Sequence, residues 1–107
     1  MVERIDTVFR ALGDPIRLQM VQALSNGPAT VTELADPHDM SLAGASKHIG
    51  VLENSGLVHR EKKGRERICT LRPEALFAAR DWVAQYSKFW NRRLDALDAA
   101  LKEDGDE

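Results

Sequence analysis

The residues best equipped to bind a ligand lie within residues 41–72, where hydroxyl, imidazole and cationic side chains are concentrated. This stretch contains seven Lys or Arg residues and three Glu residues, a balance of +4, whereas the whole chain carries −2. Ser46, Lys47 and His48 can donate hydrogen bonds to phosphates or to base edges. Positive charge concentrated in one stretch of an acidic chain favours a polyanion, and duplex DNA is the polyanion whose major groove admits a helix.

These side chains are positioned by a predicted helix over residues 41–55 and by a hairpin that follows it. Ser41 is a residue type that caps a helix N-terminus, and Gly56 is typical of the residue that follows a helix. The apolar stripe of this helix consists of Leu42, Ala45, Ile49 and Leu52. Alternating residues at 57–61 and 66–71 predict two strands joined by a strongly cationic turn.

Three short helices are predicted before this stretch. The first lies near residues 3–12, and Asp14-Pro15 is an N-cap followed by a proline suited to the first helical position. Thr30 and Glu33 have the spacing of a capping box, which predicts a third helix over about 31–35. Two consecutive helices followed by a hairpin predict a winged helix-turn-helix. The expected fold class is mostly α with a small β-hairpin (α+β), about five helices and a two-stranded wing.

The last helix is predicted to begin at Pro73 and to end near Lys102, before an acidic, frayed tail at 103–107. Two sets of residues spaced by seven, in the alternation typical of a coiled-coil seam, are Val83, Trp90 and Leu97, and Ser87, Leu94 and Leu101. A second apolar face consists of Trp82, Tyr86 and Phe89.

Two apolar faces on one helix of so short a chain predict that one face packs on its own domain and the other on a symmetric copy. The predicted dimer interface consists of Val8, Phe9, Val83, Tyr86, Trp90, Leu94, Leu97 and Leu101. The alternative is that both faces belong to an intramolecular core.

Length and composition indicate a single small domain over residues 1–107. One cysteine excludes an internal disulfide framework, and no apolar run resembles a signal peptide or a membrane span, so the cytoplasm is the expected location. We find no Gly-rich phosphate loop, nucleophile–base pair or carboxylate dyad, and therefore predict no enzymatic activity and no cofactor.

Three segments carry a family resemblance: ALGDPIRLQMVQAL, VTELADPHDMSLAGASKHIGVLENSGLVHREKKGRERICTLRPEAL and KFWNRRLDAL. Together they resemble the ArsR/SmtB-type winged-helix repressors over about residues 5–101. The resemblance implies a cytoplasmic homodimer, joined by its first and last helices, that occupies an inverted-repeat operator until an inducer releases it. It also implies that the helix at 41–55 lies in the major groove and that the wing at 60–67 contacts the backbone or the minor groove.

The residues that match the DNA-reading helix of this family are Ser41, Ala43, Gly44, Ser46, Lys47 and His48, and those that match its wing are Lys62, Lys63, Gly64, Arg65 and Arg67. Three features depart from what relatives of this branch often show, namely His38, the Ala43-Gly44 step and Gly50. The departures bear on affinity and on the operator sequence rather than on the fold.

A metal sensor is not predicted, because no cysteine lies near Glu33–His38 and residues 74–107 contain no histidine. A weak site at Asp36, His38 and Asp39 and a single-thiol sensor at Cys69 are kept as alternatives. The aromatic side chains of the last helix could also bind an apolar small-molecule inducer.

Some of the predicted DNA contacts have a structural alternative. His48 could instead pack against the helix-turn-helix crossing, and Arg65 and Arg67 could pair with Glu61 and Glu66 across the hairpin. DNA is the preferred partner for Arg65, whereas both interpretations stay open for Arg67. The alternative function is a winged-helix module whose basic hairpin binds an acidic protein.

Overall fold

Five α-helices and a small antiparallel sheet make up residues 4–105, the part of the chain that this computed structural model describes. The helices are α1 (Ile5–Leu12), α2 (Pro15–Leu24), α3 (Val31–Ala35), α4 (Leu42–Asn54) and α5 (Pro73–Gly105). The strands are β1 (Ala29–Thr30), β2 (Val58–Lys63) and β3 (Glu66–Leu71), and a short 3₁₀ turn covers Asp36–His38. The winged helix-turn-helix prediction is confirmed. The first predicted helix, 3–12, is observed as α1, and its residue 3 lies outside the described part.

The starts of α3 and α4 are set by side-chain caps that the sequence predicted. Thr30 Oγ1 accepts a hydrogen bond from the Glu33 N–H at 3.1 Å, and Glu33 Oε1 accepts one from the Thr30 N–H at 3.0 Å. At α4, Ser41 Oγ accepts a hydrogen bond from the Gly44 N–H at 3.0 Å. Because these bonds satisfy N–H groups that have no partner within the helix, they place both helix starts at the predicted residues.

The sheet contains one more strand than the sequence predicted. Its order is β1-β3-β2, and β1 pairs antiparallel with β3 through Ala29 opposite Cys69 and Thr30 opposite Ile68. The two-stranded prediction is therefore incomplete, because a strand of two residues is too short to show alternation. The turn between β2 and β3 has Gly64 at φ 62°, a left-handed conformation that favours glycine.

The core is formed by apolar residues from every helix and from the hairpin. Its buried members are Val8, Ala11, Met20, Val21, Leu24, Leu34, Ala35, Ala45, Ile49, Leu52, Leu57, Val58, Cys69, Ala75 and Ala79. The predicted stripe of α4 is confirmed at Ala45, Ile49 and Leu52 but is wrong at Leu42, which is 55% exposed. Leu42 is the first residue of α4, and its side chain lines an open cleft rather than the core.

The assignment of Val8 to a dimer interface is also wrong, since its side chain is fully buried within the protomer. Val8 and Phe9 are adjacent on α1, and a helix that packs on a core turns neighbouring side chains in different directions. Val8 therefore fills the core, whereas Phe9 reaches the surface of α5 and meets Trp82 with ring centroids 5.3 Å apart.

Most of α5 lies beyond the core. Its buried residues are Ala75 and Ala79, and residues 80–103 are exposed. The helix continues to Gly105, three residues beyond the predicted end near Lys102. The fraying of the acidic tail stays a prediction. Residues 106 and 107 lie outside the described part. No helix in the described part is both long enough and apolar enough to cross a membrane.

Candidate nucleic-acid interface

The first turns of α4 and the wing lie on either side of an open cleft of about 660 Å³. The residues that line it are Thr30, Val31, Thr32, Glu33, Leu42, Ala43, Ser46, Arg60, Arg65, Glu66 and Arg67. The structure thus brings two residues of the predicted reading helix, Ala43 and Ser46, to the same cleft as Arg65 and Arg67 of the predicted wing. A helix and a cationic hairpin on one side of the molecule form a surface suited to a nucleic-acid duplex.

Small residues at positions 41, 43 and 44 leave the N-terminal part of α4 accessible to a ligand. Ser41, Ala43 and Lys47 are exposed, and Gly44 is half-buried. A Cβ atom at Gly44 would lie 3.3 Å from Ser41 Oγ, the atom that caps the helix. Glycine at this position therefore leaves the cap undisturbed and lets the helix backbone approach a ligand closely.

Four exposed cations of the wing, Lys62, Lys63, Arg65 and Arg67, form no ion pair among the described side chains. The predicted wing residues Lys62, Lys63, Gly64, Arg65 and Arg67 are all exposed. Lys62 lies directly opposite Arg67 in the hairpin register, and like charges at such a position repel each other. The ion pairs seen in residues 4–105 do not join Arg65 or Arg67 to any carboxylate. An anion bound along the wing would relieve the repulsion.

One side chain of this surface, Arg60, was not among the predicted DNA contacts and was counted from the sequence only as one of the cations of residues 41–72. Arg60 Nη1 donates a hydrogen bond to Ser46 Oγ at 2.7 Å, and Nη2 donates one to Glu53 Oε1 at 2.6 Å. The Arg60 side chain is only 16% exposed. Strand alternation could have found it, because Arg60 shares the inward face of β2 with buried Val58. A charge on that face requires a partner.

His48 and Arg17 connect α4 to the end of α1. Arg17 Nε donates a hydrogen bond to the Ala11 carbonyl at 2.7 Å, and Arg17 Nη1 lies 3.2 Å from His48 Nδ1. Because a guanidinium can only donate, His48 Nδ1 acts as the acceptor, and the neutral imidazole carries its hydrogen on Nε2. The His48 side chain, 22% exposed, thus lies between α4 and the start of α2, and its Nε2–H group is left for another partner.

Asp14 caps α2 beside this contact. Its Oδ1 accepts hydrogen bonds from the backbone N–H groups of Arg17, at 3.1 Å, and Ile16, at 2.9 Å. The Arg17 N–H, followed by that of Ile16, holds the pKa of Asp14 below its ordinary value. Asp14 Oδ1 also lies 4.0 Å from His48 Nδ1, so the start of α2 and the outer side of α4 share one polar cluster.

Comparisons with known proteins agree with this geometry. A family model described as a helix-turn-helix domain matches residues 12–61. The HTH-type transcriptional regulator Rv2034 of Mycobacterium tuberculosis is 32% identical over 102 residues, which span 95% of this chain and 92% of that protein. A crystal structure of an ArsR family transcriptional regulator is 43% identical, with a TM-score of 0.78, and covers 83% of this chain and 98% of its own. The chain belongs to the ArsR family of transcriptional regulators.

A second solved structure bears on the assembly. It is the solution structure of a homodimeric winged helix-turn-helix DNA-binding domain from Mycobacterium bovis, which is 28% identical to this chain. Its TM-score is 0.64, and the match covers 77% of this chain and 79% of that one. The shared fold shows that this ArsR-family regulator has the architecture of a DNA-binding domain.

The predicted dimer residues on α5 form an apolar surface on this ArsR-family regulator. Their exposed fractions range from 44% at Tyr86 to 61% at Leu101. The full set on α5 is Val83, Tyr86, Trp90, Leu94, Leu97 and Leu101. Phe9 is 37% exposed beside them and contacts Trp82 of its own chain. The structure therefore leaves the α5 residues and Phe9 accessible, in contrast to Val8.

The candidate sensor residues of this ArsR-family regulator do not converge. Within the described residues, no three His, Cys, Asp or Glu side chains are grouped closely enough to hold a metal ion. His38 and Asp39 lie at the end of the 3₁₀ turn, where Asp39 has φ 49°. Cys69 is fully buried, and burial raises the pKa of its thiol. A protonated, inaccessible thiol reacts slowly with oxidants.

Proposed function

We propose that this ArsR-family regulator is a homodimeric repressor that binds an inverted-repeat operator. In each protomer α4 lies in the major groove, and the wing at residues 60–67 contacts the backbone or the minor groove. The observation that carries the proposal is that the polar outer side of α4 and the cationic wing border the same cleft. Helices of this kind read base edges, and Lys and Arg side chains contact phosphates.

The homodimer is supported by the apolar surface of α5, together with the homodimeric relative from M. bovis. Apolar side chains repeated along one side of a long helix gain stability when a second copy covers them. A two-fold axis then relates two α4 helices, and the operator is expected to contain two half-sites about 34 Å apart. Inverted symmetry in the DNA matches the symmetry of the protein.

Repression is proposed to end when an unidentified small-molecule inducer binds. This part of the proposal is supported by the resemblance of the sequence to repressors that leave their operators on induction. The aromatic residues of α5 offer the surface on which an apolar inducer could act, since Trp82 meets Phe9 edge-to-face and packs at a tilt against Tyr86. The expected place of action is the cytoplasm.

The test is fluorescence anisotropy of the purified protein on labelled DNA taken from upstream of its own gene. The titration is repeated across a salt series, with scrambled duplex as competitor and with and without a chelator. We expect tight, competitor-resistant binding that weakens steeply with salt and does not depend on the chelator. Binding no stronger than to scrambled DNA at every salt concentration would contradict a self-regulating repressor. It would favour the protein-interaction module instead.

A further inference from the structure

We propose that Arg60 is a positioning residue that makes Ser46 a hydrogen-bond donor toward DNA. The two side chains come from different elements, β2 and α4, and are joined by a hydrogen bond of 2.7 Å from Arg60 Nη1 to Ser46 Oγ. The inference rests on the proposed function, because it concerns how the reading helix recognises its operator.

The chemistry of the pair determines the direction of the hydrogen bonds. A guanidinium has five N–H donors and no acceptor, whereas a serine hydroxyl has one donor and two lone pairs. Arg60 therefore occupies a lone pair of Ser46 and leaves the hydroxyl hydrogen for another partner. Among the residues that the structure describes, none accepts a hydrogen bond from Ser46 Oγ, and the side chain lines the cleft between α4 and the wing.

Glu53 holds Arg60 in this arrangement. Its Oε1 accepts the second hydrogen bond, from Arg60 Nη2 at 2.6 Å, so the planar guanidinium is held at two points. The side chains of Arg60 and Glu53 are 16% and 31% exposed. Because the charge of Arg60 is balanced by a carboxylate and mostly withdrawn from solvent, we expect Arg60 to act through Ser46 rather than on a phosphate.

A serine with one lone pair already occupied favours hydrogen-bond acceptors on DNA over donors. Ser46 can donate its hydroxyl hydrogen to purine N7, guanine O6, thymine O4 or a phosphate oxygen, whereas one of its two lone pairs is no longer available to the amino groups of adenine or cytosine. The shared chemistry of the partner is a hydrogen-bond acceptor. Arg60 thus contributes to specificity through Ser46, without a DNA contact of its own.

The test compares operator binding by Ser46→Ala, by Glu53→Gln, by the pair Glu53→Gln/Arg60→Met, and by that pair combined with Ser46→Ala. Glu53→Gln is the background for the double variant, because no unpaired carboxylate is then left when Arg60 is removed. The affinity of Glu53→Gln is the reference for Glu53→Gln/Arg60→Met, since the two differ only in the Arg60 side chain. We expect Ser46→Ala and Glu53→Gln/Arg60→Met each to weaken specific binding about three- to tenfold, the loss of one hydrogen bond.

Two further readouts separate positioning from direct contact. If Arg60 acts through Ser46, combining the changes weakens binding no more than either one alone. The slope of log affinity against log salt also stays at the wild-type value, because the same number of phosphates is neutralised. Additive losses, or a slope smaller by about 0.9 per phosphate, would overturn the proposal. Thermal melting of each variant checks folding, and Glu53→Gln/Arg60→Leu, which also lacks a donor, replaces Glu53→Gln/Arg60→Met if the latter does not fold.

A panel of operators with single base-pair changes locates the acceptor. If Ser46→Ala and Glu53→Gln/Arg60→Met both lose discrimination at the same base pair, the acceptor of the Ser46 hydrogen bond is a base. If both variants lose the same affinity on every operator, the acceptor is a phosphate. Wild-type protein that does not distinguish operator from scrambled DNA would overturn the proposed function together with this inference. Wild-type discrimination that Glu53→Gln/Arg60→Met retains in full would overturn the inference alone.

Discussion

Ser41 combines two roles at the start of α4. Its hydroxyl accepts a hydrogen bond from the Gly44 N–H, and the residue is exposed on the side of the helix that we propose to face DNA. Any DNA contact made by Ser41 therefore uses a hydroxyl that also caps α4. A single substitution at this position changes stability and binding together, unless the replacement keeps the cap.

Two substitutions at Ser41 separate these roles. Ser41→Ala removes the cap, and we expect it to lower the free energy of unfolding by about 1 kcal/mol, measured by urea denaturation. Ser41→Asp keeps an acceptor at the helix N-terminus, so we expect stability close to the wild type. Its negative charge should nevertheless repel phosphates and abolish operator binding in the anisotropy assay. Tight binding by Ser41→Asp would show that the start of α4 does not approach the DNA backbone.

The buried thiol of Cys69 makes the stability of the fold depend on pH in the alkaline range. Burial raises the pKa of its thiol above the unfolded value. A raised pKa means that the folded state binds the thiol proton more tightly than the unfolded state does. The stability that the protonated thiol contributes is therefore fully present below the unfolded pKa of about 8.5 and is lost as the pH rises through the folded pKa.

We therefore expect the stability difference between wild type and Cys69→Ala to shrink as the pH is raised from about 7 to about 9.5. Urea denaturation of both proteins at the two pH values measures it, and groups other than Cys69 cancel in the comparison. We also expect the native thiol to react slowly with an alkylating reagent. If the stability difference between wild type and Cys69→Ala does not change with pH, or if the folded protein is alkylated rapidly, the single-thiol sensor at Cys69 would be supported instead.

At the scale of elements, the hairpin is a two-stranded ribbon that carries its charge toward a ligand. Its register places Lys62 opposite Arg67 and Lys63 opposite Glu66, so the turn consists of Gly64 and Arg65. The positive φ of Gly64 at the first turn position matches the class of turn that suits the twist of a hairpin. Lys62, Lys63 and Arg67 thus lie on paired strands, and Arg65 lies in the turn between them.

Neutralising the wing should change the salt dependence of binding. We expect Lys62→Gln/Lys63→Gln to weaken binding to operator and scrambled DNA by similar factors, because phosphate contacts carry no sequence information. The slope of log affinity against log salt should become smaller by about 0.9 for each phosphate that the variant no longer neutralises. Lys88→Gln/Lys102→Gln, which removes equal charge from α5, is the control and should keep the wild-type slope. Equal slopes for both double variants would indicate that the wing does not contact DNA.

At the scale of the whole molecule, α5 explains the elongated shape. Its 33 residues span about 50 Å, and the longest dimension of the protein is 69 Å. The core covers only the first turns of this helix. Since exposed apolar side chains repeat along the remaining turns, we infer that the functional unit contains a second copy of α5.

A charge placed on the apolar surface of α5 should separate the protomers. We expect Leu97→Glu to be monomeric by sedimentation and to bind operator much more weakly, because one protomer offers one reading helix. Ala99→Glu adds the same charge two residues away, on the opposite side of the helix, and should stay dimeric. Ala99 is exposed, so its substitution does not disturb the core. A monomeric wild type, or equal behaviour of the two variants, would contradict the proposed interface.

Local signals were sufficient to predict most of the fold. Helix caps at Asp14, Thr30 and Ser41, the buried face of α4 and the cationic hairpin all depend on residues within a few positions of each other. The sequence also indicated the apolar repeat of α5. These features are predictable because a helix turn, a cap and strand alternation each involve neighbours in the chain.

Only the tertiary structure decided the contacts between distant segments. It paired β1 with β3, buried Val8 while exposing Phe9, and left Leu42 in the cleft. It also joined Arg17 to His48, 31 residues apart, and Arg60 to Ser46, 14 residues apart.

Composition and spacing could not predict these pairs, because the partners of a polar side chain depend on how whole elements pack. The sequence by itself thus determined the five helices, the β2–β3 hairpin and where positive charge collects. The packing of α1, α4 and β2 decided which side chains of α4 and the wing are exposed and which ones hold α4 in place.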